Sequence, residues 1–562
     1  MVYPLIKSIK IAIAQLNPTV GDIAGNIYKA RHARIKATSQ GADLILFTEL
    51  FISGYPPEDL VFKTSFIQSC YDAIDTLRND THDNGAGIII GFPRKDAEGV
   101  FNSVAILDAG NIIAIRDKIN LPNYDEFHEK RTFVPGRVND PIEFRNIKIG
   151  VIICEDLWKN SIICQHLKEK GAEIILTINA SPYCRNKLKA RHETVCKQIS
   201  QINLPIIYSN QIGGQDELVF DGGSFCFNSN NKLALQMKQF EEQNIISKWI
   251  YKKKSGWYCT NNISKSIIYT HNKYEETDYS ACVIGLRDYV RKNNFHKVII
   301  GISGGIDSAL CATMAVDALG KENVQTIMLP YIYTSKQSLE DAAACSKALD
   351  CQYDVLPIKD IVDNFYSIMS NFFKEKVTGI VAENIQSRIR SNILMTISNN
   401  SGAMLITTSN KSEISVGYGT LYGDMSGGFN PIKDIYKTQV YKLAHWRNSH
   451  CMSGGLGPFG KIIPIRILEK KPSAELRYDQ CDQDSLPPYP ILDDIIEQMV
   501  EYEASCRTIA KKEYSIEIIN HIENLLYQSE YKRRQSVLGT KITSKSFGRD
   551  RLYPISNKFR DQ

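Results

Sequence analysis

The sequence predicts an α/β protein in two parts, and three observations carry the prediction. From residue 9 to about 250, short apolar runs of strand length alternate with helix-spaced segments. Residues 251–276 break that rhythm: Tyr251-Lys252-Lys253-Lys254-Ser255 and Thr260-Asn261-Asn262 are polar and aperiodic. From Thr277 onward βα units resume. Strands interleaved with helices are buried on both faces, so the first part reads as stacked α/β layers and the second as a parallel, doubly wound sheet. The expected organisation is a first domain over 1–250, a connector over 251–276 and a second domain over 277–562.

The elements follow in order. Ile9-Lys10-Ile11-Ala12-Ile13-Ala14-Gln15 alternates as a strand, and 26–39 reads as a helix. Asp43-Leu44-Ile45-Leu46-Phe47 is a strand that ends in Thr48-Glu49. Further strands are read at 87–92, 103–107, 148–153, 173–178, 205–209 and 224–227. In the second part a helix opens at Thr277, and strands are read at 297–302, 324–329, 353–357 and 403–407. Helices are read at 309–319 and 335–348, and a long one begins at Glu383.

Composition excludes several classes. The chain has 562 residues, 43% hydrophobic and 23% charged, an ordinary globular balance with length for roughly two to four domains. A net charge of +5 is too small at this size to argue for nucleic acid. Residues 1–10 lack the apolar core of a signal peptide, and no apolar run approaches the ~20 residues of a membrane span. Fourteen scattered cysteines without a CxxC pair suit reduced thiols in the cytoplasm.

Ser303-Gly304-Gly305-Ile306-Asp307-Ser308 turns from a strand into a helix. Two glycines let the backbone approach a ligand, and the turn amides with the helix N-terminus suit a phosphate. Asp307 would repel phosphate unless Mg²⁺ stood between them. The run Gly455-Leu456-Gly457-Pro458-Phe459-Gly460-Lys461 spells part of a Walker motif. Ile462 follows in place of a hydroxyl residue, and the proline marks a loop. In the first part, Glu49, Lys118 and Cys154 each end or follow a strand. A cysteine attacking an amide needs a base and a positive group for the oxyanion, which a glutamate and a lysine supply. A lone cysteine at a strand end is more often a small core residue.

Context decides between these readings. Phe-Thr-Glu-Leu at 47–50, Lys-Ile-Asn-Leu-Pro at 118–122 and Cys-Glu-Asp-Leu-Trp at 154–158 resemble the nitrilase superfamily of amidases. That resemblance implies an N-terminal α-β-β-α nitrilase-like sandwich, with Cys154 as nucleophile, Glu49 as base and Lys118 as oxyanion stabiliser. It offers Glu126 as an assisting carboxylate, and Tyr124, Glu155, Ser181 and Lys187 as the wall of a glutamine pocket.

The loop at 303–308 resembles that of the ATP pyrophosphatases, with their adenine nucleotide α-hydrolase-like sheet, but it does not choose among them. The blocks 383–390, 410–425, 471–476, 531–534 and 547–551 do, and they resemble the NAD synthetase family. With the amidase half in front, the resemblance implies synthesis of NAD⁺ from deamido-NAD⁺, ATP and glutamine-derived ammonia through an acyl-adenylate. It implies ATP on Ser303, Gly304, Gly305, Ile306, Asp307, Ser308 and Thr408, Mg²⁺ on Asp307 and Glu413, and deamido-NAD⁺ on Arg390, Lys411, Asp424 and Lys532. An amidotransferase of the same ATP family acting on another acceptor is the alternative. A homo-oligomer, at least a dimer, is expected, with a tunnel for ammonia, no membrane and no nucleic acid.

The tail 532–562 carries nine basic residues against two acidic ones. Alone it could pass for an RNA-binding tail. Its aromatics, Phe547, Tyr553 and Phe559, favour packing near the nucleotide site or a subunit interface.

Overall fold

The computed structural model describes residues 7–159, 162–253, 256–261, 274–512 and 514–561. Two compact units divide the chain: Met1–Gln215 with Val219–His271, and Asp216–Leu218 with Asn272–Gln562.

In the first unit β1 (Ser8–Gln15), β2 (Leu44–Leu46), β3 (Gly87–Lys95), β4 (Val100–Asp108) and β5 (Asn111–Asp117) lie side by side. A second sheet holds β6 (Ile142–Phe144), β7 (Ile147–Ile153), β8 (Ile174–Asn179), β9 (Ile206–Asn210), β12 (Phe225–Phe227) and β13 (Leu233–Gln236). The hairpin β10 (Ile212–Gln215) and β11 (Leu218–Asp221) lies between β9 and β12 in sequence. The chain then returns to the first sheet. There β14 (Gln243–Lys252) pairs antiparallel with β1, and β15 (Gly256–Cys259) pairs with β14.

Alternation along the strands explains the layers. Ile9, Ile11 and Ile13 face Ile149, Val151, Ile153 and Leu176 in a core between the sheets. Ala12, Ala14 and Ile45 point the other way, onto the helices Ile23–Ser39 and Thr64–Asp80. Ile152, Ile175 and Tyr208 meet the helices Ile162–Glu169 and Lys187–Ile202. The result is the expected helix–sheet–sheet–helix sandwich. One part of the expected connector is sheet: Trp257 in β15 is 2% exposed and closes the inter-sheet core. Residues 254–255 and 262–273 of that connector lie outside the described residues.

In the second unit β16 (Val298–Gly301), β17 (Val324–Met328), β18 (Gln352–Val355) and β19 (Met404–Ile406) form an all-parallel sheet in the order β18-β17-β16-β19. The order reverses between β16 and β19. In such sheets the crevice beyond the carboxyl ends of the strands at that point is where ligands bind. The helices Lys359–Phe373 and Gly379–Ser401 cover one face of the sheet. A separate helical core, built by Ile414, Leu492, Ile496, Ile519 and Ile522, also buries Phe547 from the basic tail. The glycine-rich run at 455–461 is irregular loop, as its proline predicts. None of the fourteen cysteines is in a disulfide, and no helix of the described residues is long and apolar enough to cross a membrane.

Candidate functional sites

The ends of three strands converge in the first unit. Lys118 Nζ lies 2.7 Å from Glu49 Oε1 and 2.9 Å from Glu129 Oε1. All three side chains are buried. Asn102 Nδ2 donates to Glu49 Oε1 at 2.8 Å and the Ala180 amide donates to Oε2 at 3.0 Å, so both carboxylate oxygens are fixed. Gly91 permits this: a Cβ there would lie 2.2 Å from Leu50 N and 2.6 Å from Thr48 O, the backbone that carries Glu49. Tyr55 Oη donates to Glu129 Oε1 at 2.9 Å.

Cys154 stands at the end of β7 with φ +43° and ψ −99°. That backbone is strained for a residue with a Cβ, at a cost of about 1–3 kcal/mol. It is held by the Cys154 amide donating to Ile178 O at 3.0 Å and by Leu157 N donating to Cys154 O at 2.9 Å. Asp156 accepts from Asn120 N at 2.7 Å, which ties this turn to the segment just after Lys118. Burial pushes the Cys154 thiol well above its ordinary value; Glu49 adds to the shift and Lys118 opposes it. The resting thiol therefore keeps its proton and needs a base as it attacks. Burial also pushes the Glu129 carboxyl up, to about 7, against the pull of Lys118. Burial alone would lower Lys118, but Glu129 and Glu49 hold its ammonium charged.

Around this cluster Tyr124 Oη donates to Glu155 Oε2 at 2.8 Å. Lys187 Nζ stands 4.9 Å over the Trp158 ring. Ser181 is buried, and its Oγ accepts from Arg191 Nε at 3.2 Å. Arg191 in turn pairs with Asp221 at 2.8 Å.

The second unit presents a cavity of about 1000 Å³ at the reversal point of its sheet. Ser303, Gly305, Ile306, Asp307 and Ser308 line it, as does Thr408 beyond β19. Gly304 has φ +78°, and a Cβ there would lie 2.4 Å from Ser338 O, so only glycine fits. Ser308 Oγ donates to Gly305 O at 3.0 Å and accepts from Ser303 N at 3.2 Å, closing the loop on itself. Asp307 accepts from Asn410 Nδ2 at 3.0 Å. Lys437 Nζ pairs with Asp307 and lies 3.2 Å from Glu413 Oε1. Burial pushes the Glu413 carboxyl up to about 8, with Lys437 opposing. Asp482 is buried beside them; its Oδ2 accepts from Tyr489 Oη at 2.7 Å, while its Oδ1 has no hydrogen-bond partner. Arg390, Asp424 and Lys532 also line the cavity. Asp424 Oδ1 accepts from Ser387 Oγ at 2.9 Å and Thr420 N at 2.8 Å, and Lys532 Nζ donates to Gly417 O and Gly419 O.

With both sites in view, the comparisons agree. The carbon-nitrogen hydrolase family matches residues 10–249 and the NAD synthase family matches residues 279–536. A glutamine-dependent NAD(+) synthetase of Rhodobacter capsulatus is 42% identical over 98% of this chain and 99% of its own. One from Thermotoga maritima is 38% identical over 99% and 100%. The chain belongs to the glutamine-dependent NAD(+) synthetase family. The solved structure of a member from Acinetobacter baumannii, in complex with ADP, superposes with a TM-score of 0.77 at 36% identity over 98% of this chain and 99% of that one. A member from Cytophaga hutchinsonii shares the fold, with a TM-score of 0.80 at 19% identity over 98% of each chain.

The geometry differs from two of the expectations. Lys411 does not face the cavity. It is 0% exposed, 2.8 Å from Asp434 and 3.1 Å from Glu501, and it also donates to Lys545 O. Asn410 caps the helix Lys411–Val416 with its side chain toward Asp307, so the next residue projects away. The carboxylate bonded to Lys118 is Glu129, not Glu126. Glu126 stands on the Tyr124 side, where burial and Glu155, with a smaller push from Glu126, raise the tyrosine hydroxyl. Sequence reasoning missed Glu129, Lys437 and Asp482. Each sits among other charged residues, as Glu129 does beside Lys130 and Arg131 and Asp482 does near Asp479 and Asp484, and no spacing singles it out.

Proposed function

We infer that this chain is a glutamine-hydrolysing NAD⁺ synthase, with domains over 1–250 and 277–562. One observation carries the reading: a chain matched along 98% of its length by the family holds Glu49 and Lys118 in contact at 2.7 Å beside Cys154, and also a phosphate loop opening on the 1000 Å³ cavity. Glu49 takes the thiol proton as Cys154 Sγ attacks the glutamine carboxamide carbon, and Lys118 faces the oxyanion that forms. The C–N bond breaks, ammonia leaves with the proton returned by Glu49, and water hydrolyses the thioester to glutamate. Glu129 keeps Lys118 charged and aimed. Tyr124, Glu155, Ser181 and Lys187 form the wall toward the amino-acid end of glutamine.

In the second unit the nicotinate carboxylate of deamido-NAD⁺ attacks the α-phosphorus of ATP. Pyrophosphate leaves against 303–308, ammonia attacks the acyl carbon, and AMP departs. Arg390, Asp424 and Lys532 hold the acceptor. The residues present fit Mg²⁺: Asp307 and Glu413, with Asp482 Oδ1 unfilled beside them, are an all-oxygen donor set suited to a hard cation. When bound, the ion neutralises charge on the ATP phosphates. Lys437, held between the two carboxylates here, is long and flexible enough to turn to a phosphate.

Free ammonia at neutral pH is mostly protonated, so an enclosed path between the two sites is favoured over release to solvent. Ile361, Ile368, Phe372 and Ile380 are 50%, 65%, 76% and 73% exposed on neighbouring helices of the second unit, an apolar surface that supports a second copy of the chain as partner. Free thiols and the use of ATP support a cytoplasmic location. The test is mass spectrometry of products from amide-¹⁵N glutamine, ATP and deamido-NAD⁺. Label is expected in the NAD⁺ carboxamide, and turnover of another acceptor in its place would overturn the reading.

A further inference from the structure

The helix Ile516–Gln528 has two opposed faces. His521 and Leu525, one turn apart, line the cavity, and Tyr531 and Lys532 line it just beyond the helix end. Glu523 and Tyr527 lie on the far side, and the tail of the chain is packed against them. The Asp561 amide donates to Glu523 Oε1 at 2.8 Å. Arg560 Nε donates to Asn524 Oδ1, and its guanidinium stands 5.0 Å over the Tyr527 ring. Tyr553 meets Tyr527 edge-on at 4.9 Å.

The contact continues into the cavity wall. The Arg533 guanidinium lies 4.8 Å from the Phe547 ring and 6.0 Å from Tyr553. Arg533 Nη1 donates to Ser415 O at 2.6 Å. Its neighbour Lys532 donates to Gly417 O at 2.8 Å and Gly419 O at 2.7 Å, the loop that leads to Thr420 and Asp424. Most basic residues of the tail are therefore engaged within the fold: Lys541 pairs with Asp550, Arg551 with Glu503, and Arg534 with Glu530.

We propose that residues 553–561 form a brace that positions the wall made by His521, Leu525, Tyr531 and Lys532, and so sets the affinity of the cavity for the dinucleotide acceptor. The proposal rests on the function proposed above. The brace touches no substrate. It supports, on the side away from the cavity, a helix whose Ile519, Ile522 and Leu526 are anchored in the helical core. The acceptor, rather than ATP, is the substrate affected, because Lys532 holds the Gly417 and Gly419 carbonyls of the loop that leads to Asp424, a residue assigned above to the acceptor.

The test compares Arg560→Ala and Arg560→Lys in the full chain, with ammonium as nitrogen donor. Losing one hydrogen bond and one cation–π contact is expected to raise KM for deamido-NAD⁺ about fivefold, leaving kcat, KM for ATP and glutamine hydrolysis within about twofold. Arg560→Lys keeps a donor and a cation over Tyr527 and should restore most of the loss. Hydrogen exchange should quicken across 516–534 in Arg560→Ala without any ligand. Unchanged exchange, or an equal rise of KM for ATP and for the acceptor, would overturn the brace. Failure of wild type to turn over deamido-NAD⁺ at all would instead overturn the proposed function, and the exchange result would still judge the brace.

Discussion

Each unit buries a lysine between two carboxylates, and the two trios differ in what surrounds them. Lys118 with Glu49 and Glu129 is sealed: the side chains are 1%, 0% and 5% exposed, and tyrosine, asparagine and backbone donors hold the carboxylates. Lys437 with Asp307 and Glu413 opens on the cavity, where the two carboxylate side chains are each 17% exposed. The formal charge is the same. The sealed trio is fixed for one geometry, suited to an oxyanion that appears at one place. The open trio can exchange partners, suited to a site where a polyanion and its counter-ion arrive together. On the roles proposed above, the same kinds of group, an ammonium between two carboxylates, would serve covalent chemistry in one place and ligand exchange in the other, with burial making the difference.

The comparison can be broken first at the nucleophile. Cys154→Ala should lower glutamine-driven synthesis by at least about 10⁴-fold while synthesis from ammonium salt persists. Loss of both activities would make the cysteine structural. At the open trio, Asp307→Asn should lose about 10³-fold in synthesis from either nitrogen source and leave glutamine hydrolysis intact. Normal synthesis would remove Asp307 from the phosphate site.

Glu129→Gln sharpens the sealed trio. A neutral amide there no longer holds Lys118 charged, and glutamine hydrolysis should fall about 10²-fold with ammonium-driven synthesis untouched. Full activity would show that Glu129 only fills space. The smallest effect is on stability. The Glu129 carboxyl is pushed from 4.5 up to about 7, so the folded chain binds this proton more tightly than the unfolded one. Its contribution must fall as pH rises from about 4.5 through about 7 and stay level above that. Calorimetry of Glu129→Gln against wild type should show the variant missing that slope; parallel profiles would contradict the assignment.

What was legible in the sequence follows from range. Strand alternation and the turn at 303–308 are written in neighbouring residues, and so is the strand-end position of Cys154. Glu129 reaches Lys118 only because a loop folds back from β5, and Lys437 reaches Asp307 from the first turn of a different helix, Lys437–Ser449. Lys411 misled for the opposite reason. It lies in a block whose Glu413, Thr420 and Asp424 do line the cavity, and the cap made by Asn410 turns it inward. The strand β15 was hidden by polar neighbours, because an edge strand needs only one apolar face.

β14 fills the edge of β1, along a register from Ser8 with Ile250 to Gln15 with Gln243. During synthesis that edge stays open until the chain between Gln15 and Gln243 has been made, roughly ten to fifty seconds at ribosomal speeds. For that time a strand bearing Ile9, Ile11 and Ile13 offers unpaired amides to any other nascent chain. A chain truncated before Gln243 is expected to precipitate more readily than one extended past Cys259, so the open edge makes the order of synthesis a hazard that the finished sheet no longer carries.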